Sequence, residues 1–330
     1  MKTAGYLGVD VGSISTNVVV IGPQDDVLFE TYCRVGGNPI ASVQHAIREA
    51  GMALGEDAQI AGVCTTGSGR RLIGAVVGAD VVKNEISAHA RAAIHLHPEV
   101  QTILEIGGQD SKVTMVRNGV VVDFAMNLVC AAGTGSFLDS QALRLGITIE
   151  ELSEKALLAT APTSIAGRCT VFAESDMIHK QQTGHRQEDI LMGLCHAMVR
   201  NYLGNVCAGK EIRAPIVLQG GVSANLGIRR AFTEILKIVP IIPRYNLVMG
   251  AYGAALIASK AGIGQTRFRG YDLCLRSIIT QSFVCEDCPN LCEVVEIIDE
   301  GQLISRSGGR CRKWEGATAP RDSFSGQLVK

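Results

Sequence analysis

Cys130 and Cys169 each stand immediately before a segment that reads as a helix. The first ends an apolar run and leads into AAGTG within MNLVCAAGTGSFLDSQ. The second opens CTVFAESDM, whose early turns carry carboxylates. A thiolate is both nucleophile and metal ligand, and a helix start turns free N–H groups and partial positive charge toward it. A second set, Cys285, Cys288, Cys292 and Cys311, has the spacing Cys-x2-Cys-x3-Cys-x18-Cys. Four thiolates suit tetrahedral Zn²⁺ or an iron–sulfur cluster. Three cysteines in eight residues lean toward the cluster; the intervening EVVEIIDEGQLISR, a hairpin turning at Glu300-Gly301, leans toward a zinc ribbon. Cys33, Cys64, Cys195, Cys207 and Cys274 lie in apolar or helical contexts and read as small buried hydrophobes.

Glycine turns supply a second kind of chemistry. LGVDVGS (7–13) and ILEIGGQ (103–109) share the order apolar, carboxylate, apolar, glycine, small or polar. Asp10, Gly12 and Ser13 fill those places in one; Glu105, Gly107 and Gly108 fill them in the other. A strand that ends in glycine exposes N–H groups as a concave nest for phosphate oxygens. Asp10 and Asp110 could hold Mg²⁺ through water, since that ion dehydrates reluctantly. A third turn, Gly220-Gly221-Val222, stands between strand and helix, where it could approach a nucleoside. One such turn is commonly structural; three with carboxylates, two of them repeated, indicate a nucleotide cleft. GNVCAGKE (204–211) imitates a P-loop but carries Glu211 where Ser or Thr is required, and GTGSFL and GSGRRL lack the third glycine of a dinucleotide fingerprint.

The elements that must position these groups follow from periodicity. Strand, turn and strand open the chain, and IASVQHAIREAGMAL has helical apolar spacing. A helix is expected over 85–97, a second strand–turn–strand over 102–127, then helices over 134–145, 149–159, 170–182 and 188–208. VMGAYGAALIASKAG reads as a small-residue helix. Strands alternating with helices give an α/β fold. The repeated hairpins predict two similar halves facing across a cleft, over 1–84 (completed by helix 249–264) and 85–248. A small Cys-rich module follows over 265–330. At 330 residues with 47% hydrophobic content, the chain can bury a large core. Its net charge of −1 offers no electrostatic case for nucleic acid or an anionic membrane. No apolar run is long enough to span a bilayer, and MKTAGYLGVDVG reaches glycine and aspartate too soon for a signal peptide, so a cytoplasmic location is expected.

GVDVGSISTN, EIGGQD and LQGGVSAN resemble the two phosphate motifs and the adenosine motif of the actin, sugar-kinase and chaperone-ATPase superfamily, whose fold is ribonuclease H-like. Within it, TTGSGR, IGGQDSK, CAAGTGSFLD, CTVFAES and GAYGAAL resemble the activator ATPases of 2-hydroxyacyl-CoA dehydratases. That family includes the ATPase subunits of benzoyl-CoA reductase. The resemblance runs from about residue 5 to 262 and leaves the tail uncovered. Asn17 stands where these activators often carry lysine, Glu105 replaces the more usual aspartate, and PRYNLVMG departs from their pattern.

The resemblance implies ATP or ADP with Mg²⁺ at Gly12, Ser13, Ile14, Ser15, Thr16, Asn17, Gly107, Gly108, Gly220, Gly221 and Val222. Gln109 and Asp110, with Asp10, would be the γ-phosphate and water-positioning residues. Glu85 matches a family acid and could equally cap a helix. Cys130 and Cys169 supply two thiolates where a [4Fe–4S] cluster takes four. The resemblance implies a homodimer sharing one cluster through both cysteines of each subunit, an arrangement an isologous interface permits. It further implies ATP-driven delivery of a low-potential electron, taken from reduced ferredoxin or flavodoxin, to an iron–sulfur dehydratase or reductase. A benzoyl-CoA reductase or double-cubane partner is the alternative within the family. A small-molecule kinase or a nucleotide sensor on the same fold is the alternative outside it.

Overall fold

The computed structural model describes residues 4–55, 58–127, 130–311 and 313–315; residues 316–330 of the expected tail module lie outside them. Leu7, Val9 and Val11 are fully buried, and β1 (Gly5–Val11) is a central strand. It pairs antiparallel with β2 (Ser15–Ile21), whose Val18–Ile21 are equally buried. β3 (Val27–Arg34) alternates half-buried and exposed residues because it forms the sheet edge. Helix α1 (Pro39–Leu54) starts where Asn38 accepts the Ala41 N–H at 3.0 Å, and it buries Val43, Ala46, Ile47 and Ala50 on one face. β4 (Ile60–Thr66), α2 (Arg70–Val77) and β5 (Val81–Val82) complete a five-stranded sheet in the order β3-β2-β1-β4-β5, with β4 parallel to β1.

Helix α3 (Glu85–Leu96) leads to β6 (Thr102–Ile106), β7 (Ser111–Arg117) and β8 (Val120–Asn127). Four helices follow: α4 (Gly135–Arg144), α5 (Ile149–Ala156), α6 (Thr170–Gln182) and α7 (Gln187–Asn205). After β9 (Ile216–Gln219) come α8 (Leu226–Leu236) and α9 (Met249–Lys260). The second sheet has the order β8-β7-β6-β9, antiparallel except for β6 with β9. Its pairings repeat those of β3, β2, β1 and β4. α7 is buried almost all round, as the helix at the centre of this core must be.

The tail forms a three-stranded antiparallel sheet of β10 (Ile278–Val284), β11 (Glu293–Asp299) and β12 (Gln302–Gly308). Its second turn lies at Glu300 and Gly301, both at positive φ, where the sequence places it. β10, alternating weakly, is not evident from the sequence. Ile297 and Leu273 join the core cluster of β1, β2, α1 and α2, so the tail has an apolar anchor apart from any metal. Compactness divides the chain into residues 1–85 with 254–330, and residues 86–253.

Candidate functional site

In the first unit the β1–β2 hairpin closes through Gly12 N–H donating to the Ser15 carbonyl at 2.9 Å. Ser13 is exposed at its tip, Ile14 and Ser15 are half-buried, and Thr16 and Asn17 are buried on β2. Asp10 lies directly across from Asn17 on one side and Thr66 on the other, so the three side chains share a face. Asn17 Oδ1 and Thr66 Oγ1 are buried without a hydrogen-bond partner among the described residues. Two such oxygens beside a carboxylate are donors of the kind a hard cation and its waters take. Gly67, at φ +85°, passes so close that a Cβ would lie 2.4 Å from Asp10 Oδ1. Arg70 braces this turn, donating to the Gly67 carbonyl at 2.8 Å and to Glu85 Oε2 at 3.2 Å. Glu85 is the first residue of α3, and its side chain pairs with Arg70.

In the second unit the loop after β6 is held by Gly107 N–H donating to the Asp110 carbonyl at 2.9 Å. Gln109 is exposed and Asp110 half-exposed. Lys112, 2% exposed, places Nζ 2.8 Å from Asp110 Oδ2 and 3.2 Å from Glu105 Oε1. His89 Nδ1 lies 3.3 Å from Glu105 Oε2 and 2.9 Å from the Gln219 amide. Glu105 is therefore neutralised inside the protein. Its neighbours across the sheet, Lys112 and Gln219, are the residues its pairing register supplies. Gly220, at φ +88°, packs on the Ile106 carbonyl, where a Cβ would come within 2.5 Å. Gly221 and Val222 follow in a 3-10 turn, and Asn225 caps α8 by accepting from Ile228 N–H.

Both helix-opening cysteines belong to this unit. Cys130 is extended (φ −115°, ψ 121°) ahead of a 3-10 turn, and its Sγ accepts the Ala132 N–H at 3.4 Å. Cys169 is extended (φ −144°, ψ 140°) at the N-cap of α6. Both thiols are partly exposed. Asn201 of α7 holds the loop before Cys169, donating to the Gly167 and Arg168 carbonyls at 2.8 and 3.1 Å; its Oδ1, buried without a hydrogen-bond partner among the described residues, lies 3.1 Å from where a Gly133 Cβ would be. The Gly107–Gly108 loop is tied to the same region. Gly135 N–H donates to the Gly107 carbonyl at 2.9 Å, and Ser136 N–H to Gly108 at 2.8 Å. Tyr202 OH donates to the Lys112 carbonyl at 2.7 Å, linking α7 to the ion-pair strand.

Lys112, His89, Asn201 and Tyr202 were not singled out in the sequence. A lysine inside the apolar KVTMV, and an asparagine in the apolar stretch of α7, are the signals that mark two of them.

Burial pushes the Cys64, Cys195 and Cys207 thiols up to about 12, the behaviour of core hydrophobes. Cys33 and Cys274 are instead half-buried, which corrects their reading as buried residues; the β3 edge leaves Cys33 reachable from solvent. In the tail, Cys285 is buried against Val294 and Trp314, and its N–H donates to the Cys292 carbonyl at 2.8 Å. Cys288 and Cys292 are half-buried and Cys311 is exposed. Among the described residues, three metal-ligating atoms within 4.8 Å of one another occur at Cys33, His45 and Glu49, and not at the tail cysteines. A single ZnS₄ ion would bring thiols within roughly 3.8 Å.

No helix of the described residues is long and apolar enough to cross a membrane. The BadF/BadG/BcrA/BcrD ATPase family profile matches residues 7–258. The chain is 34% identical over 260 residues to the (R)-2-hydroxyglutaryl-CoA dehydratase activating ATPase of Acidaminococcus fermentans, covering 77% of this chain and 96% of that protein. It is 34% identical over 259 residues to the activator of lactoyl-CoA dehydratase of Anaerotignum propionicum, covering 77% and 97%. The activator of the 2-hydroxyisocaproyl-CoA dehydratase from Clostridium difficile, solved with bound ADPNP, superposes with a TM-score of 0.73 at 32% identity, covering 78% of this chain and 95% of that one.

Proposed function

The chain belongs to the BadF/BadG/BcrA/BcrD ATPase family, and on that premise we propose that it is an activator ATPase for a partner iron–sulfur enzyme of the 2-hydroxyacyl-CoA dehydratase type. ATP hydrolysis would drive delivery of a low-potential electron, taken up from reduced ferredoxin or flavodoxin. The observation that carries this reading is the hydrogen-bonded seam between the Gly107–Gly108 loop and the start of α4, which follows the Cys130 turn. A movement of the Gly107–Gly108 loop on nucleotide binding would thereby be passed to the start of α4 behind the Cys130 turn. The repeated strand order supports duplicated actin-like halves.

Phosphates would be taken by the turns at Gly12–Asn17 and Gly107–Gly108, and the nucleoside by Gly220, Gly221 and Val222. Asp10, flanked by Asn17 Oδ1 and Thr66 Oγ1, would hold Mg²⁺ through water. Gln109 and Asp110 would place the attacking water. Lys112 would orient Asp110 while neutralising Glu105.

The residues fit an iron–sulfur group. Of the four cysteines in residues 86–253, Cys195 and Cys207 are core thiols, which leaves Cys130 and Cys169. Two thiolates fall short of the four a cluster takes, and the family resemblance implies that a homodimer shares one cluster. Val171 and Phe172, exposed in the first turn of α6, would supply apolar surface for that contact. When bound, a [4Fe–4S] cluster supplies a one-electron couple at low potential. The Ala132 N–H donates to Cys130 Sγ, and Asn201 holds the loop before Cys169. Anaerobic activation is the test: the reduced protein with ATP should confer activity on an inactive 2-hydroxyacyl-CoA dehydratase, and a non-hydrolysable analogue should not. An iron-free preparation that phosphorylates a sugar would establish the kinase instead.

A further inference from the structure

On the edge of the first sheet, Cys33 of β3 faces His45 and Glu49 of α1. His45 and Glu49 are one helical turn apart, so both project from the same side of α1. His45 Nε2 lies 3.3 Å from Glu49 Oε1, and Cys33 Sγ lies 3.9 Å from Glu49 Oε2. All three ligand atoms fall within 4.8 Å of one another. Zn²⁺ at about 2.0–2.3 Å from N, O and S ligands sets tetrahedral separations of roughly 3.3–3.6 Å, so an ion would have to draw the three side chains, now within 4.8 Å, together by on the order of 1 Å. The Glu49 carboxylate is itself oriented, because Thr31 Oγ1 donates to Oε2 at 2.9 Å. Such a second hydrogen bond on a ligating carboxylate is the usual support of a metal site. His45 and Glu49 side chains are 61% and 39% exposed, which gives an ion a path in and leaves a fourth position for water.

We propose that Cys33, His45 and Glu49 form a binding site for a borderline divalent cation of the Zn²⁺ class, with Thr31 positioning Glu49. Thiolate, imidazole and carboxylate together select such an ion over Mg²⁺ or Ca²⁺, which take oxygen ligands. Cys33 lies across from Thr16 of β2. Bound metal would therefore pin α1 to the strand beside the Gly12–Asn17 hairpin, independently of any cluster at Cys130 and Cys169.

The test is the total zinc bound per full-length chain at saturation, measured anaerobically with a competing chromophoric chelator. Wild-type protein should bind one equivalent more than Cys33→Ala, His45→Gln and Glu49→Gln alike, with iron content and metal-free melting temperature unchanged. Thr31→Val should keep the equivalent but bind it 10–100-fold more weakly. Equal zinc in wild type and all three ligand variants would overturn the site. So would loss confined to Cys33→Ala, which would mean a lone reactive thiol.

Discussion

Gly135 donates its N–H to the Gly107 carbonyl at 2.9 Å, so the Gly107–Gly108 loop and the helix behind Cys130 share a backbone bond. A Cβ at Gly135 would meet Val222 Cγ2 at 3.0 Å, Gly107 O at 3.2 Å and Gly108 Cα at 3.4 Å. Gly135→Ala should therefore spread this contact. We expect ATP-driven partner activation to fall roughly tenfold, the effect of about 1.4 kcal/mol, with iron content retained. Activation at the wild-type rate, measured beside iron analysis, would remove the seam from the account.

Lys112 is the buried cation between Glu105 and Asp110. Lys112→Gln leaves Glu105, 6% exposed, without it, and breaking a buried pair from one side costs roughly 3–5 kcal/mol. Urea unfolding should show that loss. ATP turnover should fall as well, because Asp110 loses its 2.8 Å partner. An unchanged unfolding midpoint would mean that His89 suffices.

Asn201→Ala removes the two donated bonds to Gly167 and Arg168. Carbonyls left without a donor cost about 1–3 kcal/mol, and here the cost falls on the loop before Cys169. Iron per dimer should drop while nucleotide affinity holds. Full iron loading in this variant would show that Asn201 is only a packing residue.

How much of this was legible beforehand differs by residue. The Glu300-Gly301 turn is written locally, in a glycine that takes positive φ freely, and the helices were legible from their apolar spacing. The repeated hairpins were visible because the strand period and the glycines coincide. Lys112 and Asn201 act through partners that only the fold brings near, across a strand pair and from α7 to the loop before Cys169. Cys33 was misjudged because TYCRV reads as core, whereas the strand's edge position leaves alternate residues half-open.

Cys64, Cys195 and Cys207 hold their protons from 9.0, the ordinary thiol value, up to about 12 when folded. The folded state then binds more protons than the unfolded chain in that window, so stability falls as pH rises through it. The melting temperature should decline above pH about 9. At neutral pH iodoacetamide should modify Cys130 and Cys169 in cluster-free protein and spare these three, as peptide mapping would show.

Iron and sulfide per dimer, in wild type and in Cys130→Ala/Cys169→Ala protein purified without oxygen, bear most directly on the proposal. The double variant should hold about four fewer irons per dimer, one cubane, and bind ATP as wild type does. Equal iron in both proteins would mean that these two thiols hold no cluster.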